Sequence, residues 1–289
     1  MKDGKKRLRT RDGFPESRKK EERIGLAAVV IILAAIVLIP SIFVHLMPSS
    51  PQETDFTSGE PRAVIVDQLS LTSPNQTFSA TATNILKQAG YAVDYYPGEN
   101  VTVDFFRTLA SRKYKLVILR VHSTAVVFAE GTFWNAPVTI FTSEEYNTNQ
   151  YVLEQMTGQI VSAMYPVPES LSYFAIAPQF IISSMRGLFN NTAIIMMGCD
   201  GLNNTHMAEA FVERGASVYI GWNKSPQAID TDSATSRLLQ RLMVQKETLN
   251  AAVQSAMEEV RHGFEDQQLL LLYHPQNVGE EKIEDILNR

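Results

Sequence analysis

The stretch KLVILRVH, Lys115–His122, decides the fold. A near-continuous apolar run of this length, ending in a polar residue, is the pattern of a parallel strand covered on both faces. Working outward, RAVIVDQ (Arg62–Gln68) reads as a second buried strand, followed by a helix over FSATATNILKQAG that Gly90 stops. YAVDYYP is a further strand, and TVDFFRTLASRKY is helical by its apolar spacing. Beyond the middle of the chain come the strand TAIIMMGC, the helix NTHMAEAFVERGA and the strand SVYIGWN. A long helical stretch, Thr231–His262, breaks near Lys246; the strand QLLLLYHP and the helix GEEKIEDILNR close the chain. Strands alternating with helices imply βαβ units. The expected class is α/β, a mostly parallel sheet with helices on both faces. The residues between His122 and Cys199 are less regular: AVVFAEGTFWNAPVTIF suggests a hairpin and YVLEQMTGQIVSAMY a helix.

Open parallel sheets collect ligands and reactive groups beyond the carboxyl ends of their strands. Three chemically useful side chains stand at such ends here: Asp67, His122 and Cys199. Cys199 is the single cysteine of the chain, so no internal disulfide and no cysteine-rich metal site is available. A helix N-terminus or a neighbouring imidazole activates a thiol, and Asn203, Asn204 or Thr205 are candidate caps for the helix that follows. His122 is the candidate general base. On chemistry alone the alternative stands open, with Cys199 a small buried residue and His122 a polar strand terminator.

Charge and hydropathy bound the setting. The 289 residues carry a net charge of −5. Residues 1–23 hold 10 Lys/Arg and 5 Asp/Glu, leaving 16 basic against 26 acidic residues and a charge of −10 on the remainder. An acidic body argues against nucleic acid as a partner, which requires a basic face. Ile24–Met47 (IGLAAVVIILAAIVLIPSIFVHLM) lacks any Asp, Glu, Lys or Arg. At 1.5 Å per residue it spans about 36 Å as a helix, enough for a hydrocarbon core of about 30 Å. The expectation is a single transmembrane helix over 24–47, with the lipid bilayer as partner. The basic block 1–23 would stay cytoplasmic, residues 48–61 would form a linker, and 62–289 an extracytoplasmic domain. A cleaved signal peptide is the other reading; the long basic region and the missing A-x-A-like site weigh against it. Five N-x-[ST] sequons, at Asn75, Asn100, Asn190, Asn203 and Asn223, accord with an outside location.

LVILRVHS followed by AIIMMGCDG resembles the paired blocks of the caspase-like (clan CD) cysteine peptidases, a group including caspases, metacaspases, gingipains, clostripain and CHAT domains. In these a strand ends in His, usually His-Gly, and a later strand in Cys, usually Ala-Cys. The stretch from THMAEAFVERGASVYIGWNKSP to the Ala-rich helix NAAVQSAMEEV is similar to the CHAT and gingipain pattern, and LLYHPQNVG resembles that group's last strand. The resemblance covers Arg62 to Gly279. It implies a caspase-like three-layer sandwich and a Cys199/His122 dyad cleaving peptide bonds. It further implies an oxyanion site made by the N–H groups of Ser123 and Cys199. Two departures bear on activity: Ser123 replaces the usual Gly, and Gly198 the usual Ala.

Family members select the residue before the cleaved bond through a charged pocket. Asp67, with Asp230 or Asp232, are the candidate acids here, implying cleavage after Arg or Lys, and Trp222 is a candidate cleft wall. Since the group includes inactive relatives, an idle scaffold serving as a surface binding or sensing module is the alternative function. An amidotransferase-like arrangement through His274 in YHPQ fits less well, because Met197 stands where that nucleophile motif needs Gly. His45, His122, His206, His262 and His274 show no metal-ligand spacing, and no cofactor is expected.

Overall fold

The computed structural model describes residues 59–289 apart from 126–135, 166–170, 261–269 and 274–276. The expected membrane helix, the basic block before it and most of the linker lie outside the described residues, as do His262 and His274. No helix among the described residues is long and apolar enough to cross a membrane.

Six strands build the large sheet: β1 (Arg62–Asp67), β2 (Ala92–Pro97), β3 (Leu116–Arg120), β8 (Thr192–Met196), β9 (Ala216–Trp222) and β10 (Leu270–Tyr273). Their order is β10-β9-β8-β3-β1-β2. All neighbours pair parallel except β10, which runs antiparallel to β9 with Leu270 opposite Trp222. The uninterrupted apolar runs follow from burial on both faces. Ala63 and Ile65 of β1, with Leu116 and Ile118 of β3, join one core cluster. The alternate residues Val64, Val66, Val117 and Leu119 join the other.

Four helices cover the first face: α1 (Gln76–Gln88), α6 (Ala228–Leu239), α7 (Leu249–Val260) and α8 (Ile283–Leu287). Asn75 caps α1, its side chain accepting from Phe78 N–H at 3.0 Å, which satisfies a donor that the first turn cannot. The break between α6 and α7 falls at Lys246, where the chain is left-handed at φ 57° after a π-helical turn, Gln240–Val244. On the second face lie α2 (Val103–Thr108), α4 (Pro178–Ser183) and α5 (His206–Glu213).

The second face also carries a structure that the sequence pattern did not reveal. β4 (Ser123–Ala125), β5 (Val138–Glu145), β6 (Ile160–Met164) and β7 (Ser172–Ile176) form an antiparallel sheet in the order β4-β5-β7-β6. Its Ile140, Ile160, Phe174 and Ile176 pack into the second core cluster. β4 and β5 pair antiparallel on either side of the segment where a hairpin is expected, most of which, residues 126–135, lies outside the described residues. The helix expected over YVLEQMTGQIVSAMY is corrected to a short α3 (Val152–Met156) followed by β6. Gly158, at φ 67°, turns the chain out of the helix. Ile160–Met164 then finds β7 as an antiparallel partner, and this pairing overrides a helical periodicity that was only local.

Candidate active site

The chain runs from β1 outward to β2 and returns on the other side of β1 as β3. The loops leaving β1 and β3 both start from the carboxyl edge of the sheet, where the strand order changes direction. His122 stands two residues beyond β3 and one before β4, where the chain passes from the large sheet to the small one.

Both sheets and the β1–α1 loop fix the imidazole. Its Nε2 is 2.8 Å from Thr72 Oγ1, while its backbone N–H donates to Gln68 Oε1 at 2.9 Å. Gln68 in turn donates from Nε2 to the Tyr165 hydroxyl at 2.7 Å. The ring packs on Tyr165 and Phe141 of the small sheet, with centroids 4.4 and 6.0 Å apart. Burial, and next the positive charge of Arg120, push the His122 pKa down to about 4. The imidazole is therefore neutral at pH 7, with a nitrogen able to accept a proton.

Cys199 lies three residues beyond β8, half-buried on a tight turn. Burial pushes its thiol pKa up, a hydrogen bond from Ser225 pulls it down, and the Asp200 carboxylate raises it again. Asp200 is left-handed at φ 59°, donates its N–H to Lys224 O at 3.0 Å, and accepts from Ser225 Oγ at 3.1 Å. Burial raises the pKa of Asp200 as well. The thiol and the imidazole are thus each uncharged at rest, and no neighbouring imidazolium activates the sulfur in advance.

The turns of His122 and Cys199 meet through Ser123, whose hydroxyl donates to the Cys199 carbonyl at 2.5 Å. The Ser123 side chain, 6% exposed, is occupied by this contact. Its backbone N–H has a separate fate. Phe141 N–H donates to His122 O, so the ladder bonds flank the Ser123–Ile140 pair and do not pass through it. The Ser123 N–H is left outside the β4–β5 ladder, as an oxyanion donor requires.

Three of the expected substrate contacts, Asp67, Asp232 and Trp222, are corrected. Asp67 is 1% exposed and its Oδ1 accepts from Arg120 Nη1 at 2.7 Å, while Oδ2 accepts from the Tyr95 hydroxyl. Arg120, itself fully buried, also donates to both oxygens of Asp232, from Nε at 2.7 Å and Nη2 at 2.8 Å, and to the Ser73 carbonyl. A guanidinium inside the fold needs counter-charge, and both carboxylates are buried against it with their oxygens hydrogen-bonded, so neither faces a substrate. Trp222 is fully buried and packs in the first core cluster, its indole N–H donating to Thr231 Oγ1 at 2.8 Å. It belongs to the core and not to a cleft wall. Asp230, in the first turn of α6, is half-buried and keeps surface. That turn abuts the end of β8, since Thr231 Oγ1 donates to Met197 O at 3.1 Å.

Sequence reasoning missed Thr72, Gln68, Tyr165, Ser225 and Arg120. For Arg120 a signal existed, because a charged residue inside an apolar strand demands buried counter-charges. The others come from loops and from the small sheet, with no local pattern to mark them. Among the described residues no group of three or more His, Cys, Asp or Glu is placed to hold a metal ion. No protein-family model matches the chain, and no curated protein matches it.

Proposed function

We propose that this chain is a membrane-anchored, caspase-like cysteine peptidase whose Cys199 attacks a peptide carbonyl with His122 as general base. The observation that carries this reading is the Ser123–Cys199 contact, which joins the base turn and the thiol turn at the carboxyl edge of adjacent parallel strands. In the attack, the sulfur–carbon bond forms as the neutral imidazole takes the thiol proton. The carbonyl oxygen becomes an oxyanion between the Cys199 and Ser123 N–H groups. His122 then returns its proton to the departing amine, and water releases the acyl group. Asp230, and Asp200 beside the thiol, are acids that keep surface around this edge, which supports peptides with Arg or Lys before the scissile bond as the first to test.

The test compares the full chain with Cys199→Ala and His122→Ala on a panel of Arg-, Lys-, Asp- and Leu-directed fluorogenic peptides. Hydrolysis lost in both variants supports the reading; hydrolysis that survives Cys199→Ala sinks it. The anchor is tested separately: protease added outside intact cells should digest the body, and a body protected until lysis refutes the outside location.

One observation favours an idle scaffold as the second reading. The Asp200 carboxylate next to Cys199 opposes thiolate formation, and His122 is too weak a base at rest to offset it. Absence of cleavage for every peptide, with an alkylation rate of Cys199 no greater than that of a buried thiol, would select that reading.

A further inference from the structure

Gly198 has no room for a side chain. A β-carbon there would lie 2.3 Å from Ser123 Oγ and 2.8 Å from both Val121 O and the Met196 ε-methyl. The Ser123 hydroxyl fills that space and donates to the carbonyl of the next residue, Cys199, at 2.5 Å. We propose that Ser123 and Gly198 form a matched lock that orients the Cys199 peptide, which makes Ser123 a positioning residue for the thiol.

The lock works on one peptide unit from both ends. The Cys199 carbonyl is held by Ser123, and the N–H of the same peptide, on Asp200, is held by Lys224 O at 3.0 Å. A peptide plane bonded at its oxygen and its nitrogen to two different loops cannot rotate about its flanking bonds. Asp200 is thereby held in the left-handed region at φ 59°, which an aspartate enters more readily than most residues. That conformation places its carboxylate against Ser225 Oγ, which donates to it at 3.1 Å, and Ser225 acts on the Cys199 thiol in the opposite sense to Asp200. The two groups that tune the thiol in opposite directions are thus positioned through the peptide that Ser123 holds. Serine at 123 and glycine at 198 depend on each other: the hydroxyl needs the missing methyl, and the empty space needs the hydroxyl.

The inference rests on the reading of Cys199 as the functional thiol, yet its test is independent of peptide cleavage. Cys199 is the single cysteine of the chain, so iodoacetamide alkylation of the full-length protein reports this thiol alone. Three variants are compared by alkylation rate across pH 6–10 and by thermal midpoint: Ser123→Ala, Gly198→Ala, and the exchange Ser123→Gly with Gly198→Ala. Ser123→Ala removes a hydrogen bond of ordinary net strength, and an alkylation rate changed by about fivefold with a displaced pH profile is expected. Gly198→Ala should change the rate by about tenfold or more, and the exchange variant should recover only the part due to the Ser123 hydroxyl, staying about fivefold or more from the parent, because Val121 O and the Met196 ε-methyl still lie 2.8 Å from the added β-carbon and the Cys199 carbonyl has lost its donor. Gly198→Ala indistinguishable from the parent overturns the lock. So does Ser123→Ala with a lowered thermal midpoint and an unaltered alkylation profile, since a purely structural serine would give that result. If Gly198→Ala fails to fold, Ser123→Ala alone decides. Absent peptide hydrolysis together with the expected alkylation pattern removes the peptidase reading and leaves the lock standing.

Discussion

Replacing Asp232 by Ala tests whether the buried Asp67–Arg120–Asp232 cluster is an internal staple or a latent specificity pocket. Arg120 is fully buried, and Asp232 accepts from its Nε and Nη2 at 2.7 and 2.8 Å and from Asn75 Nδ2 at 2.8 Å. The substitution deletes all three bonds and leaves the guanidinium with one carboxylate, Asp67, and one carbonyl, Ser73. Asp67 still balances the guanidinium, so the cost comes from the Arg120 Nε, Arg120 Nη2 and Asn75 Nδ2 donors that lose their shared acceptor, at about 1–3 kcal/mol for each buried donor stranded and about 3–5 kcal/mol together. For a body of this size each kcal/mol lowers the melting temperature by about 2–4 °C. Asp232→Ala should therefore fall by roughly 6–20 °C in a thermal melt followed by circular dichroism at pH 7. Asp230→Ala, two positions away on the same helix but half-buried, is the control and should change stability by less than about 0.5 kcal/mol. Equal, small shifts in the two variants would refute the reasoning. Water would then reach Arg120, and the carboxylates of Asp67 and Asp232 would be open to a cationic side chain after all.

Three further outcomes are expected. His122 holds off protonation until about pH 4, whereas an unfolded histidine protonates near pH 6.5, so between these values the unfolded chain binds the extra proton. Stability should fall as the pH drops through that window, by at most about 3 kcal/mol from this residue, and His122→Gln should flatten the slope in urea titrations at pH 4.5 and 7. An unchanged slope counts against the neutral imidazole. Ser225→Ala should slow alkylation of Cys199 at pH 7.5 and Asp200→Asn should speed it, because one removes a bond to the thiolate and the other a repelling charge. Changes of the same sign would contradict this account of the thiol. Under the proposed peptidase function, Thr72→Val should cost one to two orders of magnitude in peptide hydrolysis, part of the roughly 10²–10⁴-fold that a positioned base supplies, with the melting temperature unmoved. Thr72→Ser should restore most of the rate, and a valine variant as fast as the parent would remove Thr72 from the site.

The strands of the large sheet were legible because each has both faces in a core, and apolar burial on both sides writes itself into consecutive residues. The strand ends were legible for the same reason, since the apolar run stops where cover stops, and His122 and Cys199 were found there. The small sheet was not legible. Its β4 has three residues, and β6 follows a helical turn closely enough to share that turn's periodicity. Neither becomes a strand without partners.

The sequence by itself determined the layered α/β architecture and the two turns that carry the histidine and the thiol. It also displayed Ser123 and Gly198 as two separate departures from a familiar pattern. Only the tertiary structure decided that these two residues touch, that Asp67 is spent on Arg120, and that Trp222 is core. Burial of a strand is a property of neighbouring residues and leaves a local trace. An ion pair between positions 112 apart, or a hydroxyl seated over a glycine 75 positions on, leaves none, because the distance between them is set by how the strands are ordered in the sheet.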